Sequence, residues 1–237
     1  MLNKVKTLKG YSLDAVDALD SKIGKCKDFF FDDRFWTIRY LVAETGTWLT
    51  GRQVRISHCA LEGICKEEQT IDVALTKNQI EDCSYLVTKK TVTCQFEDSF
   101  FTPAQKVWNM HLYSTHAVNG NYIHATDGEI GHVDDFIIDD ETWEIRYLIV
   151  NTSNWWVGKK VLISPQWGDR VSWDDKTVFI NLSREAIKQS PEYTDKSLLT
   201  RNYEIGLHGH YNRKGYWVNA LANNRSSDAS TAGLIRC

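Results

Sequence analysis

The chain of 237 residues carries one pattern twice. Ile23-Gly24 recurs as Ile130-Gly131, 107 positions on, and the spacing holds without a gap as far as Ser57 and Ser164. Asp28 thereby matches Asp135, Phe29 matches Phe136, Asp32-Asp33 matches Asp139-Asp140, and Trp36 matches Trp143. Ile38-Arg39-Tyr40-Leu41 returns as Ile145-Arg146-Tyr147-Leu148, and Thr45, Trp48, Gly51 and Val54 return as Thr152, Trp155, Gly158 and Val161. The same offset carries Thr70, Leu75 and Ile80 onto Thr177, Leu182 and Ile187. So long a period lies beyond the roughly 20–50 residues of solenoid repeats and denotes duplicated domains. The chain has room for two domains of about 100 residues, each able to bury a core.

Each copy patterns as β. From Trp36 to Val42, alternate residues Trp36, Ile38, Tyr40 and Val42 share one face, and Trp143, Ile145, Tyr147 and Ile149 repeat the arrangement. The preceding runs, Ile23 to Phe31 and Ile130 to Ile138, are rich in β-branched and aromatic residues and end in Asp-Asp, a turn former, so a hairpin is expected in each copy. Further strands are expected at Gln53 to Ser57 and Thr70 to Leu75, and at Lys160 to Ser164 and Thr177 to Leu182. A short helix should follow, opened by Thr76 or Ser183 as N-cap and ended in the second copy by Ser190-Pro191. The expected class is all-β with short helices, as two tandem small open barrels. The boundaries read as 1–84 for the first barrel, 85–121 for a linker holding a short helix from Ala104 to Leu112, 122–218 for the second barrel with a closing segment, and 219–237 for a polar, disordered tail.

The stretch DGEIGHVDDFIIDDETWEIRYLIVNTSNWWVGKKVLISP, Asp127 to Pro165, resembles the PRC-barrel family, and SKIGKCKDFFFDDRFWTIRYLVAETGTWLTGRQVRIS resembles it again. Glycine, acidic turn, IRYL strand and W-x-x-G-[KR] loop occur in one order, twice. The resemblance implies an open β-barrel related to the cytoplasmic part of the photosynthetic reaction-centre H subunit and to the C-terminal half of a ribosome maturation factor. YEIGLHGHYNRKGYW, Tyr203 to Trp217, is similar to the closing motif of free-standing bacterial tandem members. The first copy departs from the pattern in having His58 where the second has Pro165. The family implies no shared catalytic residue; its members dock to membrane-protein complexes, ribosomal proteins or other partners.

Composition narrows the function classes. Hydrophobic residues at 42% and charged ones at 25% suit an ordinary folded domain. A net charge of -3 gives no global attraction to nucleic acid or an acidic membrane. Met1 to Leu13 lacks an apolar leader core and no run approaches the roughly 20 apolar residues of a membrane span, so a cytoplasmic location is expected. The six cysteines form no CxxC pair and read as reduced thiols.

Candidate residues follow from the repeat and from its exceptions. Asp28 with Arg39, and Asp135 with Arg146, are read as cross-strand ion pairs that set hairpin register. The acidic run Asp134, Asp135, Asp139, Asp140, Glu141 and Glu144 lacks the spacing of a calcium loop and reads as a solvated turn. Trp48 and Trp155 should pack under their own loops, whereas Leu49, Trp156, Lys159 and Lys160 form a candidate interaction surface of apolar residues beside cations. His208 and His210 would share a face if the segment is extended, and are weak metal candidates; no cofactor is expected. His58 with Cys59 and Cys65 is the nearest approach to a nucleophile and base, without a counterpart in the second copy.

The expectation is therefore a non-catalytic adaptor or scaffold with a protein partner, its two modules raising effective concentration at a repeated target. The alternatives are an accessory protein peripheral to a membrane complex in electron or proton transfer, and an RNA-processing or ribosome-assembly factor; a homodimer is compatible with each. Positions where the copies differ are where function should lie: Trp156, His58 with its cysteines, and the histidine-bearing closing segment.

Overall fold

The computed structural model describes residues 1–16, 21–49, 51–85, 111–152 and 158–218, with backbone alone at 82–85. The first part runs β1 (Leu2–Lys4), α1 (Val5–Leu8), β2 (Ser12–Ala15), β3 (Lys22–Asp32), β4 (Thr37–Glu44), β5 (Gln53–Ser57), β6 (Leu61–Cys65), β7 (Thr70–Val73) and α2 (Lys77–Tyr85). The second runs β8 (Leu112–Ser114), α3 (Thr115–Val118), β9 (Tyr122–Ala125), β10 (Gly128–Asp139), β11 (Ile145–Asn151), β12 (Lys160–Ile163), β13 (Gly168–Ser172), β14 (Thr177–Ile180), α4 (Arg184–Lys188) and α5 (Arg201–His210). One sheet has the order β5-β4-β3-β2-β7-β6 and the other β12-β11-β10-β9-β14-β13, the same path in each copy, and neither closes into a full barrel. The expected hairpins are present as β3–β4 and β10–β11. The expected caps are too: Thr76 and Gln79 bond reciprocally at the start of α2, and Ser183 Oγ accepts from Ala186 N. No helix among the described residues is long and apolar enough to cross a membrane.

The sheets are built from each other's strands. β1 pairs antiparallel with β10 of the second copy, Asn3 opposite Ile138, while β8 pairs antiparallel with β3 of the first, Tyr113 opposite Phe31. Leu8-Lys9-Gly10 stands to Val118-Asn119-Gly120 as β1–α1 stands to β8–α3, so the same leading segment is exchanged in both directions. Leu112 to Val118, placed in the expected linker, is thus a strand and a helical turn belonging to the first sheet. The reading failed because three residues are too short to show a period. The rest of the expected linker, 86–110, and the expected tail, 219–237, lie outside the described residues.

Buried aspartates hold the exchanged segments. Asp135 accepts the backbone N–H of Lys6, in the first turn of α1, at 3.1 and 3.3 Å to its two oxygens; it caps a helix whose own N-cap, Lys4, supplies no side-chain acceptor. Asp28 accepts from Thr115 Oγ1 at 2.7 Å, from Ser114 Oγ, and from Lys9 Nζ at 2.8 Å. Burial opposes its charge, but Lys9, Ser114 and Thr115 outweigh burial and keep the Asp28 carboxyl below the usual carboxylate range. Asp135 has no such cation in contact, and burial pushes its carboxyl up to about 6.

These positions correct the expected ion pairs. The turn begins one residue later than Asp32, which already pairs with Thr37, and a bulge between Phe30 and Phe31 adds a further step, so Asp28 faces Val42 rather than Arg39; the equivalent turn and bulge set Asp135 opposite Ile149 rather than Arg146. The arginines turn instead to the hairpin end. Arg39 Nη2 lies 3.5 Å from Asp32, and Arg146 donates to Asp139 through Nε and Nη2 at 3.3 and 3.0 Å, with Glu144 and Thr142 as further acceptors. The acidic run is not a free solvated turn: Asp134 pairs with Lys6 and Lys160, and Asp140 accepts from Asn3.

The hairpin ends meet across a pseudo-twofold axis. Ile38 N donates to Trp143 O at 2.8 Å, Ile145 N donates to Trp36 O at 2.6 Å, and Thr37 bridges Glu144. Trp36 and Trp143 both have positive φ, +52° and +57°, a conformation that costs a bulky residue about 1–3 kcal/mol and persists only where the surroundings enforce it. Around them Phe31 packs on Phe136 with ring centroids 5.8 Å apart and Phe29 on Trp143 at 6.5 Å, so one apolar cluster runs through both copies. The repeated Ile-Gly has an equally local reason. A Cβ on Gly24 or Gly131 would collide with the carbonyl oxygen of Glu44 or Asn151 on the neighbouring strand.

Two outcomes follow from this arrangement. Gly24→Ala and Gly131→Ala should each cost about 1–3 kcal/mol, and because the core is shared, either should lower the same single cooperative transition in urea, read by fluorescence and circular dichroism together. For Asp135 the folded protein binds the proton more tightly than the unfolded chain. The stabilisation is full below the unfolded carboxyl range near pH 4 and is lost as pH rises through about 6. Asp135→Asn should therefore raise stability at pH 7 by on the order of 2 kcal/mol, with the difference from wild type shrinking as pH falls and vanishing below about pH 3 in melts across that range.

Candidate functional site

The outer faces of the two hairpins are equivalent in position and differ at two of four residues, since Tyr40 and Val42 are buried like their counterparts Tyr147 and Ile149 whereas Phe30 and Arg55 are only partly so. In the second copy the face consists of Ile137, Tyr147, Ile149 and Leu162, which register places side by side, and all four are buried. α5 closes over it. Thr200 caps this helix by accepting Tyr203 N at 3.3 Å, and Glu204 and His208, four residues apart, turn to the same side onto Tyr147. The Tyr147 hydroxyl donates to Glu204 Oε1 at 2.8 Å, Tyr216 donates to the same oxygen at 2.8 Å, and Arg201 Nη1 reaches Glu204 Oε2 at 2.8 Å. Glu204 is only 2% exposed, and these three donors offset the loss of its hydration.

His208 is equally enclosed. Its Nδ1 lies 3.0 Å from the Lys214 carbonyl, which can only accept, so Nδ1 carries the proton and Nε2 faces the Tyr147 hydroxyl at 3.0 Å. Trp167 and Trp217 stand edge-on to its ring at 5.0 and 4.9 Å. Burial holds the imidazole below its ordinary range and drives the Tyr147 phenol far above its own. The Arg146 guanidinium lies 3.9 Å over Tyr216 and Arg201 lies 4.3 Å over Trp217, tying the end of the segment to the hairpin. At the edge of the sheet Tyr193 N donates to Lys160 O at 2.8 Å, an isolated bridge beside β12. This face is sealed.

In the first copy the equivalent residues are Phe30, Tyr40, Val42 and Arg55, and here a groove of about 560 Å³ is lined by Lys27, Asp28, Phe30, Val42, Gln53, Arg55 and His116. Arg55 stands where the second copy has Leu162. Its guanidinium lies 4.0 Å over the Phe30 ring, and burial lowers its hold on the proton. Lys27 extends to Glu44 at 3.0 Å, and the Asp28 carboxylate at the back is already engaged by Lys9, Ser114 and Thr115.

A second cleft, about 600 Å³, lies at the junction of the copies between Arg34, Trp36, His111, Glu144, Arg170 and Phe179. Its polar groups are bonded to one another. Arg34 donates to His111 Nε2 at 2.6 Å, His111 Nδ1 donates to Asp33 at 3.0 Å, and Trp173 Nε1 donates to the other Asp33 oxygen at 2.6 Å, so the cluster joins one copy to the other.

The expected site residues fall differently. Leu49 is buried at 6% exposure, because Trp48 beside it is drawn inward to the Ile23 carbonyl, so it offers no docking surface. Lys159 donates to the carbonyls of Lys188 and Ser190, behind α4, and Lys160 pairs with Asp134 at 2.8 Å; Trp155 and Trp156 lie outside the described residues. His208 and His210 do not share a face, since the segment is helical and two residues turn it by about 200°. His210 Nε2 instead bonds the Ala186 carbonyl at 2.8 Å. No group of three or more His, Cys, Asp or Glu among the described residues is placed to hold a metal ion. Cys59 Sγ lies 3.7 Å from His58 Nε2, on an exposed turn rather than in either cleft, and Cys26 is buried, which pushes its thiol up. Sequence reasoning passed over Arg55 and Glu204. Arg55 was visible as a cation aligned with a leucine in a core strand; Glu204 carried no signal, because a lone glutamate on a helix is ordinarily solvated.

Residues 113–186, from β8 into α4, match the family model of the PRC-barrel domain. No curated protein matches the chain.

Removal of the Tyr147 hydroxyl should test the sealed face. Tyr147→Phe withdraws a donor from Glu204 and a partner from His208, and should cost about 1–3 kcal/mol in urea unfolding. Since the unfolded chain binds a proton at an ordinary histidine near pH 6.5 and the folded one binds it less readily, stability should fall as pH drops below about 6.5. Nitrogen-edited NMR of the ring should show His208 neutral, with its proton on Nδ1, at pH 7.

Proposed function

We propose that the chain is a non-catalytic, protein-binding adaptor, in which a first PRC-barrel domain and the matched second one form a single body that covers one binding face itself and presents the other to a partner. The assignment of the first copy to the same family is supported by its strand order, its repeated hairpin and the reciprocal exchange of leading segments. The observation that carries the reading is the difference between equivalent faces, one closed by α5 and the other a groove with a half-buried guanidinium. The repeated residues are engaged in folding. Asp28 and Asp135 hold the exchanged segments, Arg39 and Arg146 the hairpin ends, and Trp36 and Trp143 the axis.

Photo-crosslinking of the full chain in native lysate should yield one discrete adduct that saturates and is displaced by unlabelled protein. Absence of any saturable adduct in both soluble and membrane fractions would overturn the adaptor reading.

A further inference from the structure

The two faces differ in charge as well as in cover. In the second copy Asp134 lies 2.7 Å from Lys6 and 2.8 Å from Lys160. The equivalent positions in the first copy are Lys27, His116 and Gln53, and Lys27 is paired with Glu44 at 3.0 Å, so the charge without a counterpart in the second copy is Arg55, which replaces the apolar Leu162. A carboxylate entering the groove would pair that added cation.

Arg55 is placed to receive it. Among the described residues the neighbours of its guanidinium are the Phe30 ring and the Tyr40 phenol, and none of its neighbours there is a carboxylate. Stacking on Phe30 occupies the face of the guanidinium and leaves its planar edge, the geometry that binds a carboxylate through two parallel hydrogen bonds. Phe30 and Val42 provide an apolar floor beside it. The second copy also indicates the conformation of an occupant: along β12, the terminal strand of its sheet, Tyr193 forms an extended bridge to Lys160, and β5 is the equivalent terminal strand.

We propose that this groove docks an extended acidic peptide segment of a protein partner, with a carboxylate on Arg55 and a neighbouring apolar side chain on Phe30 and Val42. The proposal rests on the adaptor reading and names the chemistry of its partner. A polyphosphate backbone is the poorer fit, because affinity for it comes from many cations in a row, and the rim here includes Glu44 within a chain of net charge -3.

The probes are a fluorescein-labelled octapeptide alternating Glu and Leu, and the same peptide with Gln for Glu, titrated with the full chain by fluorescence anisotropy. The Glu peptide should bind at least tenfold more tightly than the Gln peptide and weaken with added salt. Arg55→Leu, which installs the second copy's own residue and should leave the melting temperature unchanged or higher, should lose at least tenfold in affinity. Arg55→Gln gives the same reading should the leucine variant fold poorly, and Arg55→Lys should fall between. Amide shifts on peptide addition should map to Lys27, Phe30, Gln53, Arg55 and His116. Equal binding of the two peptides, full affinity in both neutral variants, or Arg55-dependent binding to phosphatidylserine vesicles tighter than to the Glu peptide would each overturn the proposal. Capture of a saturable partner undiminished by Arg55→Leu removes this groove and leaves the adaptor reading standing; the absence of any saturable partner removes the adaptor reading, whatever the peptide does.

Discussion

Each sheet of this protein is completed by a strand from the other copy, and this reciprocal exchange is the constraint on which the remaining structure depends. β1 finishes the second sheet and β8 the first, so the outer edge of β10 at Ile137 to Asp139 and that of β3 at Phe30 to Asp32 are paired by the other copy's leading strand. The exchange brings two strained tryptophans to a common axis, where the carbonyl of each accepts from the opposite hairpin. It also explains why an aspartate is buried at the same place twice. Asp28 and Asp135 each receive the segment that the other copy sends, through side-chain hydroxyls in one case and a helix N–H in the other. The Asp135 side-chain oxygens cap the first turn of α1, and the cost of burying the carboxylate falls on its charge and not on its role as acceptor.

A duplicated frame relieves one copy of duties that the other performs. Once the shared core and the exchanged strands hold both sheets, only one outer face has to be covered for the fold to be stable. The second copy covers its face with α5 through a polar cluster in which Tyr147, Glu204, His208, Tyr216 and Arg201 bond one another. Such a cluster fixes one position of the helix, since any slip would leave a buried carboxylate unpaired. The first copy keeps the same backbone and register but carries Arg55 and Lys27 where the second has Leu162 and Asp134. Symmetry in the backbone with asymmetry in these side chains is the physical basis of the proposal that one half serves structure and the other recognition.

Local chemistry made a large part of the fold legible. The hairpins follow from alternation, the caps of α2 and α4 from Thr76 and Ser183, and the open barrels from strand spacing together with the family pattern, which residues 113–186 match directly. Side-chain pairing was less accessible. Counting across a turn from Asp32 to Phe35 set Asp28 against Arg39, but Asp32 itself pairs with Thr37 and one bulge in β3, repeated in β10, moves the register further; bulges leave no periodic trace. The closing segment reads as extended by its alternating histidines and is helical because Thr200 caps it and Tyr147 anchors it from another strand. Leu49, exposed by position in a loop, is buried because its neighbour Trp48 is held inward by a main-chain carbonyl.

The sequence by itself determined that there are two copies and that each is a β-sheet hairpin unit with a capped helix. These are decided within a few residues or by exact repetition, and both are visible along a chain. Only the tertiary structure decided which copy completes which sheet, what the buried aspartates bind, and which of two equivalent faces is left as a groove. Those outcomes depend on contacts between segments 129 and 86 residues apart, as when Lys6 meets Asp135 and Ser114 meets Asp28, and on the packing of α5 over one face. No local preference for strand, turn or helix distinguishes a leading strand that pairs with its own copy from one that pairs with its neighbour.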